Sequence, residues 1–123
     1  MKTALVLFAH GAREAEWALP FGAIREKVAS SRADLTVELA FLELMKPELE
    51  ACISRLAASG HRRVIIAPLF LALGGHLRRD LPQLIDGIRD RYGFLDIVVL
   101  PPIGEVQTLV EAIAGWLVNA APR

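Results

Sequence analysis

Four runs of apolar residues recur along the chain, and a stretch with helical periodicity follows each of them. The runs cover residues 4–9, 35–41, 64–71 and 97–100, and the last one ends at a pair of prolines. Within each run the apolar residues are nearly continuous, which is typical of strands that are buried on both faces. The alternation of strand and helix therefore predicts a parallel sheet with helices on both of its faces.

The stretches between the runs carry apolar residues at spacings of three and four, which predicts amphipathic helices. Pro20 indicates that the first helix begins or bends there, Pro47 lies near the start of the second, and Pro82 suits the first turn of the third. The predicted apolar stripes are Trp17, Phe21, Ile24 and Val28; Leu49, Cys52, Ile53 and Leu56; Leu81, Leu84, Ile85 and Ile88; and Val106, Leu109, Val110, Ile113 and Leu117.

These elements fit one doubly wound α/β domain of the flavodoxin-like kind that spans residues 1–123. Four strands in the order 2-1-3-4, with helices on both faces, are the usual arrangement for a chain of this size. No linker, low-complexity segment or internal repeat interrupts the pattern. The residues from 120 onward are predicted to be a frayed tail.

The composition of the chain limits the kinds of molecule that it is expected to bind and the compartment in which it is expected to occur. Fourteen basic and 14 acidic residues cancel, so the chain has no basic field to attract nucleic acid. The single cysteine, Cys52, cannot form an internal disulfide and is interpreted as a small core residue, which fits a reducing cytoplasm. The apolar N-terminal run is shorter than the roughly 20 residues of a membrane span, and a signal peptide is its less favoured interpretation.

Polar side chains that suit chemistry follow three of the predicted strands. His10 comes after the first strand, Glu43 after the second and His76 after the third. In the order 2-1-3-4 these strands are neighbours, and ligands of open parallel sheets bind beyond the carboxyl ends of the strands. Two imidazoles and a carboxylate form a suitable ligand set for a divalent transition metal.

Each of these residues also has an ordinary structural explanation. A histidine at the end of a strand can cap a helix, and Glu43 can be an exposed residue at the end of its strand. His61 lies in a helix-to-strand turn at the opposite edge and is interpreted as a surface residue. Trp17 and Trp116 lie at helical spacing among apolar neighbours and are interpreted as packing residues.

Several common motifs are missing from the sequence. It contains no His-Glu-x-x-His, no Cys-x-x-Cys and no glycine-rich phosphate loop, so neither a standard zinc motif nor nucleotide binding is supported. The four serines all fall on predicted helices or at their ends, away from the carboxyl edge, which argues against a Ser-His-Asp triad. A metal carrier and a flavin-binding module remain open as alternatives.

Three segments resemble the class II tetrapyrrole chelatases, whose single-domain CbiX-type sirohydrochlorin cobaltochelatases match the length of this chain. Residues 7–13 resemble the family's first-strand His-Gly-Ser-Arg motif, and residues 37–43 resemble its second-strand segment ending in Phe-Leu-Glu. Residues 68–76, with Asp80 and Pro82, resemble its Pro-Leu-Phe-Leu…Gly-x-His…Asp-x-Pro segment. Ala12 stands in place of the usual serine, and residues 103–107 lack the Gly-x-His-Pro that is often found there.

The resemblance implies that the chain is a lyase that inserts a divalent metal into sirohydrochlorin without ATP or flavin. The metal is expected to be Co²⁺ for cobalamin synthesis, with Fe²⁺ for siroheme synthesis and Ni²⁺ as alternatives. His10 and His76 would bind the metal and accept the pyrrole protons, and Glu43 would complete the ligand set. A single-domain member implies a homodimer.

The implied substrate is a flat polycarboxylate, which suggests further binding residues near the same edge. Arg13, Arg78 and Arg79 can pair with its acid groups. The remaining side chains near the edge are apolar, and they either line the flat face of the macrocycle or belong to the core; they are Phe41, Phe70 and Leu73.

Overall fold

The computed structural model describes residues 2–123, and in this range the sheet is built as the sequence predicts. The strands are β1 (Thr3–Ala9), β2 (Leu35–Phe41), β3 (Arg63–Pro68) and β4 (Asp96–Val99). All pairings are parallel and the order is β2-β1-β3-β4, which confirms the predicted topology.

Four helices follow the strands. They are α1 (Leu19–Ser31), α2 (Leu49–Ala58), α3 (Gly75–Arg91) and α4 (Gln107–Ala120). Short 3₁₀ turns at Ala15–Ala18 and Ile103–Glu105 precede α1 and α4. Pro20 occupies the first turn of α1, so that helix begins near the proline and does not bend there.

The carboxyl ends of β2, β1 and β3 lie level with one another. Ala9 of β1 is paired with Phe41 of β2, and Phe8 is paired with Pro68 of β3. The loops after these strands consequently leave the sheet side by side, and this arrangement brings His10 next to Glu43.

One face of the sheet is covered by α2 and α3 and holds most of the core. On the side of the strands that faces these helices, Val6, Phe8, Val64 and Ile66 are fully buried. The two helices contribute their predicted apolar stripes to this core through Leu49, Cys52, Ile53, Leu56, Leu81, Ile85 and Ile88. Cys52 is confirmed as a core residue, and burial raises the pKa of its thiol to about 11.

The other face of the sheet is only partly covered. No residue of α1 or α4 is buried, and every residue of α4 is exposed. The apolar stripe predicted for the last helix is therefore not buried. Trp116, which the sequence suggests as a packing residue, is 68% exposed.

Two predicted boundaries differ from the structure. β3 ends at Pro68, three residues before the end of its apolar run, because Leu69 and the residues after it leave the sheet as a loop. Pro82 lies inside α3 and not in its first turn, because the helix begins at Gly75. The missing N–H of an exposed proline removes one helical hydrogen bond there, and the rest of α3 continues past it.

The interpretation of His61 as a surface residue is also wrong. Its side chain is only 4% exposed, and its Nε2 lies 2.8 Å from Thr36 Oγ1. Its Nδ1 lies 3.0 Å from the Leu56 carbonyl and 3.2 Å from Ser59 Oγ. These partners satisfy the buried ring, and His61 thereby links the end of α2 to the start of β2.

No helix within residues 2–123 is both long and apolar enough to cross a membrane.

The core between the sheet and the helices α2 and α3 is where truncating a side chain should destabilise the fold most. Ile53 is 0% exposed at the centre of the core, so Ile53→Ala should lower the free energy of unfolding by about 2–5 kcal/mol. Leu19→Ala at a 68% exposed position should change it by less than about 0.5 kcal/mol. Urea titration at one protein concentration compares the free energies of unfolding of the two variants. Equal decreases in both would contradict the assignment of Ile53 to the core.

Candidate functional site

His10 is the first residue after β1, and the structure places its ring at the carboxyl edge of the sheet. The side chain is 47% exposed, so one side of the ring remains open to solvent. The other side rests on Phe70, with the two ring centroids 4.6 Å apart in an edge-to-face arrangement. Phe70 is 2% exposed and packs in turn on Phe8, which gives His10 a rigid apolar support.

Glu43 meets His10 across the two adjacent loops. The Nδ1 atom of His10 lies 3.1 Å from Glu43 Oε1, which is hydrogen-bonding distance. The loops are held together by the Leu42 N–H, which donates to the Ala9 carbonyl at 2.8 Å. The sequence prediction that these two side chains converge is therefore supported by geometry.

The second carboxylate oxygen of Glu43 has no partner. Oε2 is buried and makes no hydrogen bond within the described part of the chain, although the side chain as a whole is 44% exposed. An unsatisfied buried acceptor on a carboxylate is costly, and such groups in native proteins call for a cation or other donor. A ligand could therefore use this oxygen without breaking a hydrogen bond that the described residues make.

The backbone around Glu43 is strained. The Met45 N–H donates to the Glu43 carbonyl at 2.8 Å, and Leu44 between them has a φ of 67°. This combination is the pattern of a γ-turn with positive φ, which is rare and strained in proteins. Strain of this kind is concentrated at functional sites, where the surroundings hold the backbone in place.

Gly11 allows the two loops to approach so closely. A Cβ built on Gly11 would lie 1.7 Å from the Glu43 carbonyl oxygen and 3.1 Å from the Met45 nitrogen. No side chain fits there, so only glycine permits this packing. The His-Gly pair therefore has a physical role beyond the motif, since Gly11 sets the position of Glu43 relative to His10.

Trp17 is a residue of this site that the sequence interpretation missed. Its indole N–H donates to the His10 carbonyl at 2.7 Å, and its side chain is 44% exposed. It also lies beside Phe21, with ring centroids 6.0 Å apart. The helical spacing that suggested packing could not distinguish this role, because Trp17 lies in the 3₁₀ turn before α1.

His76 is the second residue of α3 and is exposed, but it does not join the other two side chains. Within residues 2–123, no three His, Cys, Asp or Glu side chains are close enough to hold one metal ion together. The predicted three-ligand set is thus not assembled in this structure. Its His10–Glu43 part is present, and the role of His76 stays a prediction.

The three arginines named from the sequence are free to bind an anion. Arg13 follows His10 by three residues, and Arg78 and Arg79 lie in the first turns of α3; all three are exposed. None of them takes part in the ion pairs found among the described residues. Arg78 makes only a long 3.4 Å contact with the Leu73 carbonyl.

Among the apolar residues suggested to line a macrocycle, Phe41 and Phe70 are 5% and 2% exposed. Both contribute mainly to the core in this structure, and a binding role for them stays a prediction. Leu44 and Leu71, in the loops after β2 and β3, are 64% and 65% exposed at the same edge. An exposed apolar side chain in each of two neighbouring loops suits contact with a flat apolar ligand.

The fold and the site together define a doubly wound α/β protein with a histidine–carboxylate pair at the carboxyl edge of its sheet. The family model described as CbiX matches residues 4–119. The chain therefore belongs to the CbiX family.

The curated relatives agree with this placement. A sirohydrochlorin cobaltochelatase of Saccharolobus islandicus (strain L.S.2.15 / Lassen #1) is 31% identical over 115 residues, covering 89% of this chain and 88% of that protein. A sirohydrochlorin cobaltochelatase of Methanococcus aeolicus is 36% identical over 87 residues, covering 67% of this chain and 57% of that protein.

Solved structures share the fold. A protein of Marinobacter aquaeolei VT8, described as a cobalamin biosynthesis CbiX protein, superposes with a TM-score of 0.82 at 31% identity and 95% coverage of both chains. The sirohydrochlorin chelatase SirB of Bacillus subtilis subspecies spizizenii, solved with cobalt, gives a TM-score of 0.74 at 26% identity. The match covers 98% of this chain but 52% of SirB.

The contact between Gly11 and Glu43 can be tested by adding a single methyl group. Gly11→Ala should push the Glu43 loop away from His10 and weaken Co²⁺ binding at least about 10-fold, because it moves a group that orients the site. Isothermal titration measures the affinity, and circular dichroism checks the fold. Gly22→Ala is the matched control, since a Cβ there meets nothing within 4 Å. Unchanged Co²⁺ affinity in folded Gly11→Ala would contradict the positioning role.

Proposed function

We propose that this chain is a metal chelatase that inserts a divalent metal, Co²⁺ in the first place, into sirohydrochlorin without ATP. The observation that carries the proposal is the His10–Glu43 pair with its unpartnered carboxylate oxygen, in a chain of the CbiX family. Its place would be in cobalamin or siroheme synthesis. The buried and unpaired Cys52 is compatible with a cytoplasmic location.

The spacing of the two donor atoms suits a metal ion. Two ligands at right angles around a metal with bonds of about 2.1 Å lie about 3.0 Å apart. The Nδ1 atom of His10 and the Oε1 atom of Glu43 are 3.1 Å apart. In the metal-free protein a proton occupies the space between them, and an incoming divalent ion would displace it.

The separation of His76 from this pair favours a division of labour between the two histidines. One imidazole cannot coordinate a metal and accept a proton through the same lone pair at once. We assign metal binding to His10 and Glu43, and acceptance of a pyrrole proton to His76. An imidazole suits the second task because its ordinary pKa lies close to neutral pH.

The unpaired arginines and exposed leucines suit the proposed substrate. Sirohydrochlorin is a flat ring that carries many carboxylates. Guanidinium groups bind carboxylates through two parallel hydrogen bonds, and Arg13, Arg78 and Arg79 are free to do so. Leu44 and Leu71 would contact the apolar face of the ring.

A metal carrier built on the same pair is the second candidate. It would bind Co²⁺ and would have no use for a macrocycle, so equilibrium binding of sirohydrochlorin to the metal-free protein separates the two. Submicromolar to micromolar binding of the macrocycle favours the chelatase, and its absence alongside tight Co²⁺ binding favours the carrier. Insertion rates of Co²⁺, Fe²⁺ and Ni²⁺ at matched concentrations then identify the preferred metal.

If His10 binds the metal and His76 accepts the pyrrole proton, substitution of each histidine should have a different effect on Co²⁺ binding. His10→Ala should lose Co²⁺ binding and insertion together, whereas His76→Ala should keep Co²⁺ binding but lose at least about 100-fold in insertion rate. Absorbance of the macrocycle follows insertion, and isothermal titration follows metal binding. Gln83→Ala, an exposed position farther along α3, is the control. Equal loss of Co²⁺ binding in both histidine variants would restore the three-ligand set.

The role of Glu43 can be separated from its contribution to folding. Glu43→Gln keeps the shape but removes the charge and one acceptor, so Co²⁺ affinity should fall at least about 10-fold with little change in unfolding. Glu48→Gln is the matched control, because this nearby glutamate is exposed and its side chain forms an ion pair with Lys46. Co²⁺ affinity equal to that of the unmodified protein would remove Glu43 from the ligand set.

A further inference from the structure

Trp17 is hydrogen-bonded to the backbone of His10, to which the proposed function assigns metal binding. The indole N–H donates to the His10 carbonyl at 2.7 Å, and the two residues are seven positions apart in the chain. The Trp17 side chain is 44% exposed and does not belong to the buried core cluster. Packing in the core therefore does not explain why a tryptophan lies here.

The loop between β1 and the first 3₁₀ turn has little other support from hydrogen bonds. Pairing with β2 holds the chain as far as Ala9, whose carbonyl accepts from the Leu42 N–H at 2.8 Å. Among the turn and loop bonds between backbone groups of residues 2–123, none involves residues 10–13. Loops without such bonds are the parts of a protein that move most easily. The indole of Trp17 consequently supplies the bond that closes this loop on the end of β1.

Trp17 is itself held in place, as a residue that orients another must be. Its backbone N–H donates to the Glu14 carbonyl at 3.1 Å and closes the 3₁₀ turn. Its ring lies beside Phe21 of α1, with the ring centroids 6.0 Å apart, and α1 contacts both β1 and β2. The indole thus connects the His10 carbonyl to a helix that rests on the sheet.

The closed loop carries two side chains that the proposed reaction uses. His10 begins the loop, with its Nδ1 atom 3.1 Å from Glu43 Oε1, and Arg13 follows three residues later. Arg13 is exposed and takes part in no ion pair found among the described residues. Because no ion pair fixes the Arg13 guanidinium, the course of the loop backbone decides where it lies.

Loss of the indole bond should disturb the site more than the fold. A neutral hydrogen bond adds only modestly to the free energy of folding, because water competes for both of its groups. A small displacement of a ligand or a catalytic group has a larger effect, and partners that orient metal ligands typically change metal affinity or activity by about 10–100-fold.

We propose that Trp17 is a positioning residue: its indole N–H closes the loop after β1 and thereby places His10 for the metal and Arg13 for a carboxylate of the macrocycle. The role at Arg13 rests on the proposed chelatase function, whereas the role at His10 requires only metal binding. Trp17 acts through these two residues and does not itself contact the metal or the macrocycle.

Two variants separate the donor from the ring. Trp17→Phe keeps an aromatic ring and removes the N–H, whereas Trp17→Gln removes the ring and keeps an N–H at a similar reach. Isothermal titration of the metal-free protein should show Co²⁺ affinity at least about 10-fold lower in Trp17→Phe, with a smaller decrease in Trp17→Gln. Trp116→Phe, the same change at a 68% exposed position of α4, is the control and should keep the affinity.

The outcomes that contradict the positioning of His10 are specific. Urea titration first establishes that Trp17→Phe is folded under the conditions of the metal titration. Unchanged Co²⁺ affinity in this folded variant would overturn the role of the indole bond. A larger decrease in folded Trp17→Gln than in Trp17→Phe would also overturn it, because the ring and not the donor would then be responsible.

A double-mutant cycle tests the link to Arg13. At saturating Co²⁺, Trp17→Phe should raise the KM for sirohydrochlorin at least about 5-fold, because the displaced guanidinium binds the macrocycle less well. In an Arg13→Ala background the same change should leave KM unaltered, since the group that it displaces is absent. An equal increase in KM in both backgrounds would overturn the link to Arg13.

The two measurements distinguish failure of this proposal from failure of the chelatase. A protein that inserts no metal, but loses Co²⁺ affinity in Trp17→Phe, would contradict the chelatase and support the positioning of His10. A Trp17→Phe variant with the Co²⁺ affinity, KM and insertion rate of the unmodified protein would overturn the positioning role and support the chelatase.

Discussion

The close packing of the turn after β1 on the loop after β2 is the contact on which the site depends. Level strand ends bring the two loops side by side, and Gly11 allows the Glu43 carbonyl to lie where a Cβ would otherwise be. The same carbonyl accepts the bond that closes the turn at Leu44. One backbone oxygen therefore fixes both the shape of the loop and the approach of Glu43 to His10.

This packing holds His10 and Glu43 close together as two potential metal ligands. Phe70 packs against one side of the His10 ring, and the Trp17 indole N–H donates to the His10 backbone carbonyl. One oxygen of Glu43 is hydrogen-bonded to His10, and the other has no partner among residues 2–123. Rigid placement reduces the entropic cost of binding an ion, which is the general benefit of a preorganised site.

The two faces of the sheet differ in how completely they are covered. On the α2–α3 face the buried residues of helices and strands form a continuous core, and His61 closes one end of it. On the other face α1 contacts β1 and β2, and no residue of α1 or α4 is buried.

The pattern of the sequence was enough to predict the fold class. Continuous apolar runs and helical spacing predicted the strands, the helix count and the buried role of Cys52, because these depend on local pattern. The strand order was predicted as the usual arrangement of a doubly wound domain of this size, and the pairing of the strands confirms it. The sequence also named His10 and Glu43, since strand ends are visible in the pattern. The folded structure was needed to show that these two side chains touch, that His76 does not complete a three-ligand group among the described residues, that His61 is buried and that no residue of α4 is buried. Those facts depend on distances between segments far apart in the chain, and a periodic pattern carries no information about such distances.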